Sequence, residues 1–262
     1  VFHGASAVPG FVSAPAGVTD VLLGLARRAA AGESEGLERD TEALRKRYQG
    51  IARAAVGGDK AAAAVATIID QSLDELARLL SSLTVLKELT ARTSDFIAAR
   101  GERLSAQIFA ATYAAMGGRS RYIDAMEVVF TDGPFGGASP NLDLTDEAAR
   151  RVLRPLAESG VVPVVPGFLG VAALEDGAQP EKAGATSVAT LGRGGSDLTA
   201  TLLGRALGAR DVSLWKDVPG LLTADPRVVP DARVIPQLHA REAAELAYYG
   251  AKVLHPRALI PL

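Results

Sequence analysis

The stretch TLGRGGSDLTA, residues 190–200, sets Arg193 among Gly192, Gly194 and Gly195 and follows it with Ser196, Asp197 and an apolar, helix-forming run. A turn needs a glycine or two to reach positive φ, but an arginine wedged between glycines is poor turn design unless an anion docks there. If a strand ends at Thr190-Leu191, this loop lies at the carboxyl edge of a sheet, where open α/β sheets bind ligands, and Asp197 falls in the first turn of the next helix. Backbone N–H groups of the loop and of the helix N-terminus attract anions. The guanidinium of Arg193 adds a planar fork suited to a carboxylate or a phosphate. A plain strand-to-helix turn with Ser196 or Asp197 as N-cap would be written with the same residues.

A second candidate is KDVPGLLTADPR, 216–227, after the strand-like DVSLW. Lys216 and Asp217 leave the strand, Pro219-Gly220 turns the chain and Asp225-Pro226-Arg227 turns it again. Such a loop can pack on a nucleotide base and bring Arg227 to phosphates, or it can be a surface hairpin. A third is GAKVLHPRA, 250–258, where Gly250 ends the helical AREAAELAYY and Lys252 sits in the turn; its plain reading is a C-cap with a solvated lysine. Metal chemistry has no local motif, because His3, His239 and His255 are scattered and HExxH is absent. His239 is expected at a helix start and His255 beside Pro256. The P-loop pattern GxxxxGK[ST] and the GxSxG elbow are also missing, which argues against P-loop and α/β-hydrolase chemistry.

Elements that could position these residues alternate along the chain. From Val21 to about Gly117 the sequence is rich in Ala, Leu, Arg and Glu at helical spacing. Leu73, Leu76, Leu80 and Leu83 form one apolar stripe, and Leu37, Leu44, Tyr48 and Ile51 another. Glycine and charge break the pattern at 31–36 and 56–60, so a helical subdomain is expected at about 21–117. GFVSAPAGVTD reads as a strand running into a polar loop. After Gly117 short β-branched runs follow: AMEVVFTDG, GVVPVVPGFLG, SVATLGRGG and ARDVSLWKDVPG, with DEAARRVLRPLAESG and DLTATLLGRALGA as helices between them. That order predicts an α/β fold with a mainly parallel sheet covered by helices.

With 262 residues and a net charge of −2, the chain can bury a large core and carries no basic field for nucleic acid or an anionic membrane. Nucleic-acid and membrane partners are therefore not expected. It contains no cysteine, which removes disulfides, thiolate nucleophiles and Cys-zinc sites. No apolar run reaches 18 residues, and VFHGASAV lacks the features of a signal peptide, so a cytoplasmic protein is expected.

Taken in order, VSAPAGVTD, RGERLSA, TLGRGGSDLTA, WKDVPGLLTADPR and GAKVLHPR resemble the aspartate kinase branch of the amino-acid kinase family, from about Phe11 to the last residue. The resemblance implies an αβα sandwich, three layers around an open sheet, with residues 1–262 forming one kinase domain. It implies ATP and Mg²⁺ as cofactors, L-aspartate as substrate, phosphorylation of its β-carboxylate, and a homodimer. By the same resemblance Arg193 pairs with the amino acid's carboxylate, assisted by Ser196 and the Gly194-Gly195 backbone, and Glu102 holds its ammonium group. Ser13 and Thr19 line that pocket. Lys216, Asp217, Leu222, Arg227, Lys252 and Val253 fall on nucleotide-contacting positions, with Leu222 where an aromatic is common. Asp197 corresponds to an aspartate that organises active-site lysines, and Lys252 is also expected near the reacting phosphate.

The resemblance further implies an opening strand with a lysine and a Phe-Gly-Gly turn. Phe2 and Gly4 fit that turn, His3 replaces a glycine, and no lysine precedes them. The helix that the resemblance implies between that turn and the GFVSAPAG strand has no residues to form it at the Val8-Pro9 join, and no C-terminal regulatory domain is expected after ALIPL. A non-catalytic subunit of the same fold that binds amino acid or nucleotide is the alternative reading.

Overall fold

The computed structural model describes residues 8–172, 188–248 and 254–261. After the short strand β1 (Gly10–Val12) come helices α1 (Val18–Ala30), α2 (Leu37–Val56), α3 (Asp59–Leu86), α4 (Ala91–Ala98) and α5 (Arg100–Ala115). Apolar residues three and four apart give each helix a face that must be covered. Leu73, Leu76, Leu80 and Leu83 of α3 are buried in one cluster with Leu22 and Leu25 of α1 and Leu44 and Tyr48 of α2, and Ile51 packs at its edge. Helix α5 serves two cores. Leu104 and Ile108 join the helical cluster, whereas Ala106 and Ala110, on the other side of the helix, face the sheet.

Past α5 lie β2 (Ser120–Tyr122), α6 (Leu142–Glu158) and β3 (Val162–Pro166). The run VPVVP shows no alternation, the pattern of a strand covered on both faces, and all of β3 is buried. It is the central strand of a parallel sheet ordered β1-β3-β2, with Gly10 opposite Val164 and Ser120 opposite Val162. Successive side chains point to opposite faces. Val162 and Val164 pack with Ala106 and Ala110 of α5, while Val165 joins Leu153 of α6 and Leu198 and Leu202 of α7 (Gly195–Leu207). Helices therefore cover both faces of a mainly parallel sheet, as expected. An antiparallel pair, β4 (Leu169–Val171) with β5 (Val188–Thr190), continues the core, and α8 (Ala240–Tyr248) follows near the C-terminus.

Two expected strands do not form. AMEVVFTDG becomes a 3-10 turn, Ala125–Glu127, whose Asp124 and Glu127 side chains cap it reciprocally; beyond it only single bridges join Phe130 to Val171 and Thr131 to Pro140. Local capping outweighs the β-branched composition there. ARDVSLWKDVPG contains no strand, and Trp215 is 95% exposed. Its apolar alternation has a different cause: Val212 packs against Gly204 of α7, so the segment runs along a helix and not into the sheet. No helix among the described residues is long and apolar enough to cross a membrane.

Candidate active site

Strand β5 ends at Thr190, and Leu191 N–H donates to Phe168 O (2.8 Å), which fixes where the glycine loop begins. Gly194 (φ 71°) is the N-cap of α7 in the left-handed region, and no side chain caps the helix there. A Cβ on Gly194 would lie 2.2 Å from Cβ of His255, and one on Gly195 would lie 2.8 Å from the Phe168 ring. Only glycine meets both demands, so the loop's composition follows from its path. Neither Ser196 nor Asp197 is the N-cap, and the positive end of α7 is left to whatever enters the cleft beside it.

That cleft has a volume of about 690 Å³, within the range of small-molecule sites. The helical half contributes Ser13, Thr19 and Glu102; the β5–α7 loop contributes Arg193, Gly194, Gly195, Ser196 and Asp197; Lys216 reaches in from the following segment. Asp217, Leu222 and Arg227 are not part of this lining. Leu222 forms an antiparallel bridge with Val234, and exposed Arg227 pairs with Asp225 (2.6 Å), so this stretch folds back on itself outside that lining. Gly4, Lys252 and Val253, and with them His3 and Gly250, lie outside the described residues. His239 does start a helix: its N–H donates to Glu242 Oε2 (2.7 Å) and its Nδ1 accepts from Arg241 N–H.

Both walls of the cleft carry both signs of charge: Asp20, Arg27, Asp95 and Glu102 on the helical side, and Arg193, Asp197 and Lys216 on the other. Glu102, near the start of α5, is 4% exposed and its Oε2 has no hydrogen-bond partner. Burial pushes its carboxyl up to about 7, although the backbone N–H groups of Glu102 and Ala14 pull the other way. Gly101 makes the burial possible, because a Cβ there would meet Ala14 at 2.9 Å and Val18 at 3.3 Å. The Tyr48 hydroxyl, whose acidity burial suppresses, donates to Gly101 O (2.8 Å) and ties α2 to the same point. From the sheet side, Arg193 is exposed to the cleft and makes no hydrogen bond or ion pair among the described residues. Lys216 Nζ contacts both carboxylate oxygens of Asp197 (2.7 and 2.9 Å), so the aspartate in the first turn of α7 orients a lysine at the cleft.

Several residues of the site escaped sequence reasoning. Asp95 lines the cleft from α4 and is buried, and a signal existed: Ala91, Asp95, Ala98 and Glu102 recur at helical spacing and share one lining. Phe168 sits at φ 73°, rare for a large side chain, with its N–H held by Thr199 Oγ1 (3.0 Å), which in turn donates to Gly195 O (2.8 Å). Arg257 reaches back to Leu191 O. Phe168 has no motif of its own to reveal it, and Arg257, although it lies within GAKVLHPR, carries no sign there that it reaches back to Leu191. Among the described residues no group of three or more His, Cys, Asp or Glu could hold a metal ion.

The model of the amino acid kinase family matches residues 41–262. Lysine-sensitive aspartokinase 3 of Escherichia coli K12 is 35% identical over 261 residues, 95% of this chain and 51% of that protein. Chloroplastic aspartokinase 2 of Arabidopsis thaliana is 42% identical over 197 residues, 74% of this chain and 34% of that protein. A crystal structure of E. coli aspartokinase III in complex with aspartate and ADP matches with a TM-score of 0.81 at 32% identity, covering 95% of this chain and 51% of that one. The chain thus spans between a third and a half of the length of these relatives. It belongs to the amino acid kinase family, and within that family it is similar to aspartokinases.

Proposed function

We propose that this chain transfers the γ-phosphoryl group of ATP to the β-carboxylate of L-aspartate, giving 4-phospho-L-aspartate and ADP. The observation that carries the proposal is that Glu102 and Arg193 line one cleft from its two halves. Glu102 brings a buried carboxylate oxygen from the helical side and Arg193 its guanidinium from the sheet side, beside a helix N-terminus with no side-chain cap; neither the oxygen nor the guanidinium has a hydrogen-bond partner among the described residues. A free α-amino acid carries a cation and an anion on one carbon, and such a pair of side chains suits both ends. The aspartokinase of known structure that binds aspartate and ADP supports the same assignment.

In this reading Glu102 takes the ammonium group and Arg193 the α-carboxylate, with Ser13, Thr19 and Ser196 donating hydrogen bonds. Gly194 and Gly195 let backbone amides approach the substrate. The β-carboxylate is already ionised at neutral pH, so its oxygen can attack the γ-phosphorus in line, with ADP leaving, without a general base. What the protein supplies is positioning and positive charge near the transferred group. Lys216, whose Nζ contacts both carboxylate oxygens of Asp197 at the edge of the cleft, is proposed to supply part of that charge. Asp217, Leu222, Arg227, Lys252 and Val253 are proposed to contact the nucleotide and Lys252 the reacting phosphate, with Gly4 in a phosphate turn. Mg²⁺ would be carried chiefly by the nucleotide's phosphate oxygens and water, since Mg²⁺ commonly takes only one or two protein carboxylates.

A coupled assay of ADP release with and without L-aspartate tests the proposal. Aspartate-dependent turnover is expected. Calorimetric binding of aspartate or nucleotide without any turnover would replace it with the non-catalytic reading, and binding of neither would remove both.

A further inference from the structure

The loop 133–138, GPFGGA, forms part of the cleft wall through Gly136, yet it has little apolar anchorage of its own. Only Ala138 is buried, with Phe135 packed partly against it, and Gly136 adopts φ 93°. Its neck is closed by Asp132 N–H donating to Ser139 O (3.0 Å) and Asn141 N–H to Phe130 O (2.8 Å). A glycine-rich loop of this kind has much conformational entropy to lose, so its position must come from polar bonds.

Those bonds come from two charged residues of opposite sign. From α4, Asp95, 3% exposed, accepts at Oδ2 from Gly136 N–H (2.7 Å) and Thr190 N–H (2.8 Å), and at Oδ1 from the Thr190 hydroxyl (2.8 Å). From the 3-10 turn Pro256–Leu259, half-buried Arg257 donates through Nη1 to Leu191 O and through Nη2 to Ala138 O (3.2 Å). Between them Ala138 N–H donates to Thr190 O (2.9 Å). One residue thus satisfies backbone donors and the other backbone acceptors of the same two segments.

We propose that Asp95 and Arg257 are positioning residues that staple the loop 133–138 to the Thr190–Gly192 end of β5 and so fix the cleft wall from which Arg193 projects. The proposal rests on the reading that Arg193 binds the carboxylate of aspartate. Neither residue needs to touch substrate. Their effect reaches it through the backbone that carries Arg193, and it falls on ground-state binding: loosening the staple raises KM for aspartate and leaves kcat nearly unchanged. A purely structural role would reduce the amount of folded enzyme, lowering apparent kcat at constant KM.

The test uses the 262-residue chain with Asp95→Asn, Thr190→Val, Thr190→Ser and Arg257→Lys. An amide at Asp95 can keep its oxygen on the two N–H groups and turn its NH₂ to the Thr190 hydroxyl, but it replaces three charge-assisted hydrogen bonds with weaker neutral ones. Asp95→Asn and Arg257→Lys should each raise KM for L-aspartate roughly tenfold, with kcat within about twofold. The double variant should raise it much less than the product of the two, because both act on one loop. Thr190→Val, which removes a single hydrogen bond, should give a smaller rise, and Thr190→Ser should restore the original KM. Hydrogen exchange at the Gly136 and Thr190 amides should accelerate in Asp95→Asn, a readout independent of turnover. Should Asp95→Asn fail to fold, the Thr190 pair and Arg257→Lys decide the matter. Unchanged KM with reduced kcat, strict multiplicativity, or unchanged exchange at both amides would each overturn the staple. If the unsubstituted chain shows no aspartate-dependent turnover, the proposed function fails, and exchange still reports on the staple.

Discussion

Replacing Glu102 by Gln should strengthen the fold and weaken substrate binding at the same time. Burial raises the folded carboxyl from the ordinary 4.5 to about 7, so the folded state holds this proton more tightly than the unfolded chain. The group's contribution to stability is therefore complete below about pH 4.5 and is lost as pH rises through about 7. At 1.36 kcal/mol per tenfold change, the loss by pH 8 is roughly 3 kcal/mol. Glutamine keeps the shape without the charge, so Glu102→Gln should gain roughly 3 kcal/mol at pH 8, and less than about 1 kcal/mol at pH 5. In a chain of this size the gain at pH 8 corresponds to a Tm higher by roughly 5–10 °C. Binding moves in the opposite direction. An ammonium ligand needs the ionised carboxylate, whose fraction falls from about 0.9 at pH 8 to about 0.1 at pH 6, so the affinity of the unsubstituted protein for L-aspartate should drop roughly tenfold over that interval. The α-amino and carboxyl groups of aspartate do not titrate there. Glu102→Gln should bind roughly 10- to 100-fold more weakly at pH 8, through loss of a charged hydrogen bond, and should show no pH dependence between 6 and 8. Calorimetric titration with aspartate alone avoids the protonation of ATP, and thermal melts at pH 5 and pH 8 supply the stability arm. A variant that binds aspartate within twofold of the original, or that is less stable at pH 8, would refute the assignment of Glu102 to the ammonium group.

Arg193→Ala should weaken aspartate binding roughly 10- to 100-fold and, since the side chain is exposed and makes no pair among the described residues, change stability by less than about 0.5 kcal/mol in urea unfolding. Gly194→Ala combines positive φ with a Cβ 2.2 Å from His255, and should destabilise the protein by at least about 2 kcal/mol in the same measurement. Thr199→Val preserves volume but leaves Phe168 N–H without its partner, which should cost about 1–3 kcal/mol and lower aspartate affinity measurably by calorimetry.

The helical half was legible because its periodicity is strong: the Leu73–Leu83 stripe and the glycine breaks between α1, α2 and α3 fall where the spacing puts them. The same holds for VPVVP, whose unbroken apolar run required cover on both faces. Short runs were less decisive. DVSLW alternates like a strand, but its half-buried Val212 meets α7 and the segment pairs with no strand among the described residues. Around Ala125 a reciprocal Asp124–Glu127 cap, local in sequence, overrode two β-branched residues. In the cleft, the composition of the glycine loop pointed to Arg193 but fitted a plain capped turn equally well; it is Gly194 as N-cap, with no side-chain cap, that separates the two readings. Helical spacing with Glu102 could have put Asp95 at the cleft, but the bonds that Asp95 and Arg257 make were hidden, because they fall on backbone atoms 95 and 66 residues away, at Thr190 and Leu191, and a single sequence carries no trace of such pairing.

The most direct measurement of the central claim is to trap the product. An acyl phosphate reacts with hydroxylamine to give a hydroxamate, so incubation of the chain with ATP, Mg²⁺, L-aspartate and hydroxylamine should yield aspartyl β-hydroxamate, identified by mass. The yield should depend on ATP and aspartate together and should fall at least tenfold in Arg193→Ala when aspartate is subsaturating. ATP consumption with no hydroxamate, or equal hydroxamate from the Arg193→Ala variant at every aspartate concentration, would contradict the proposal that this cleft grips aspartate and phosphorylates its distal carboxylate.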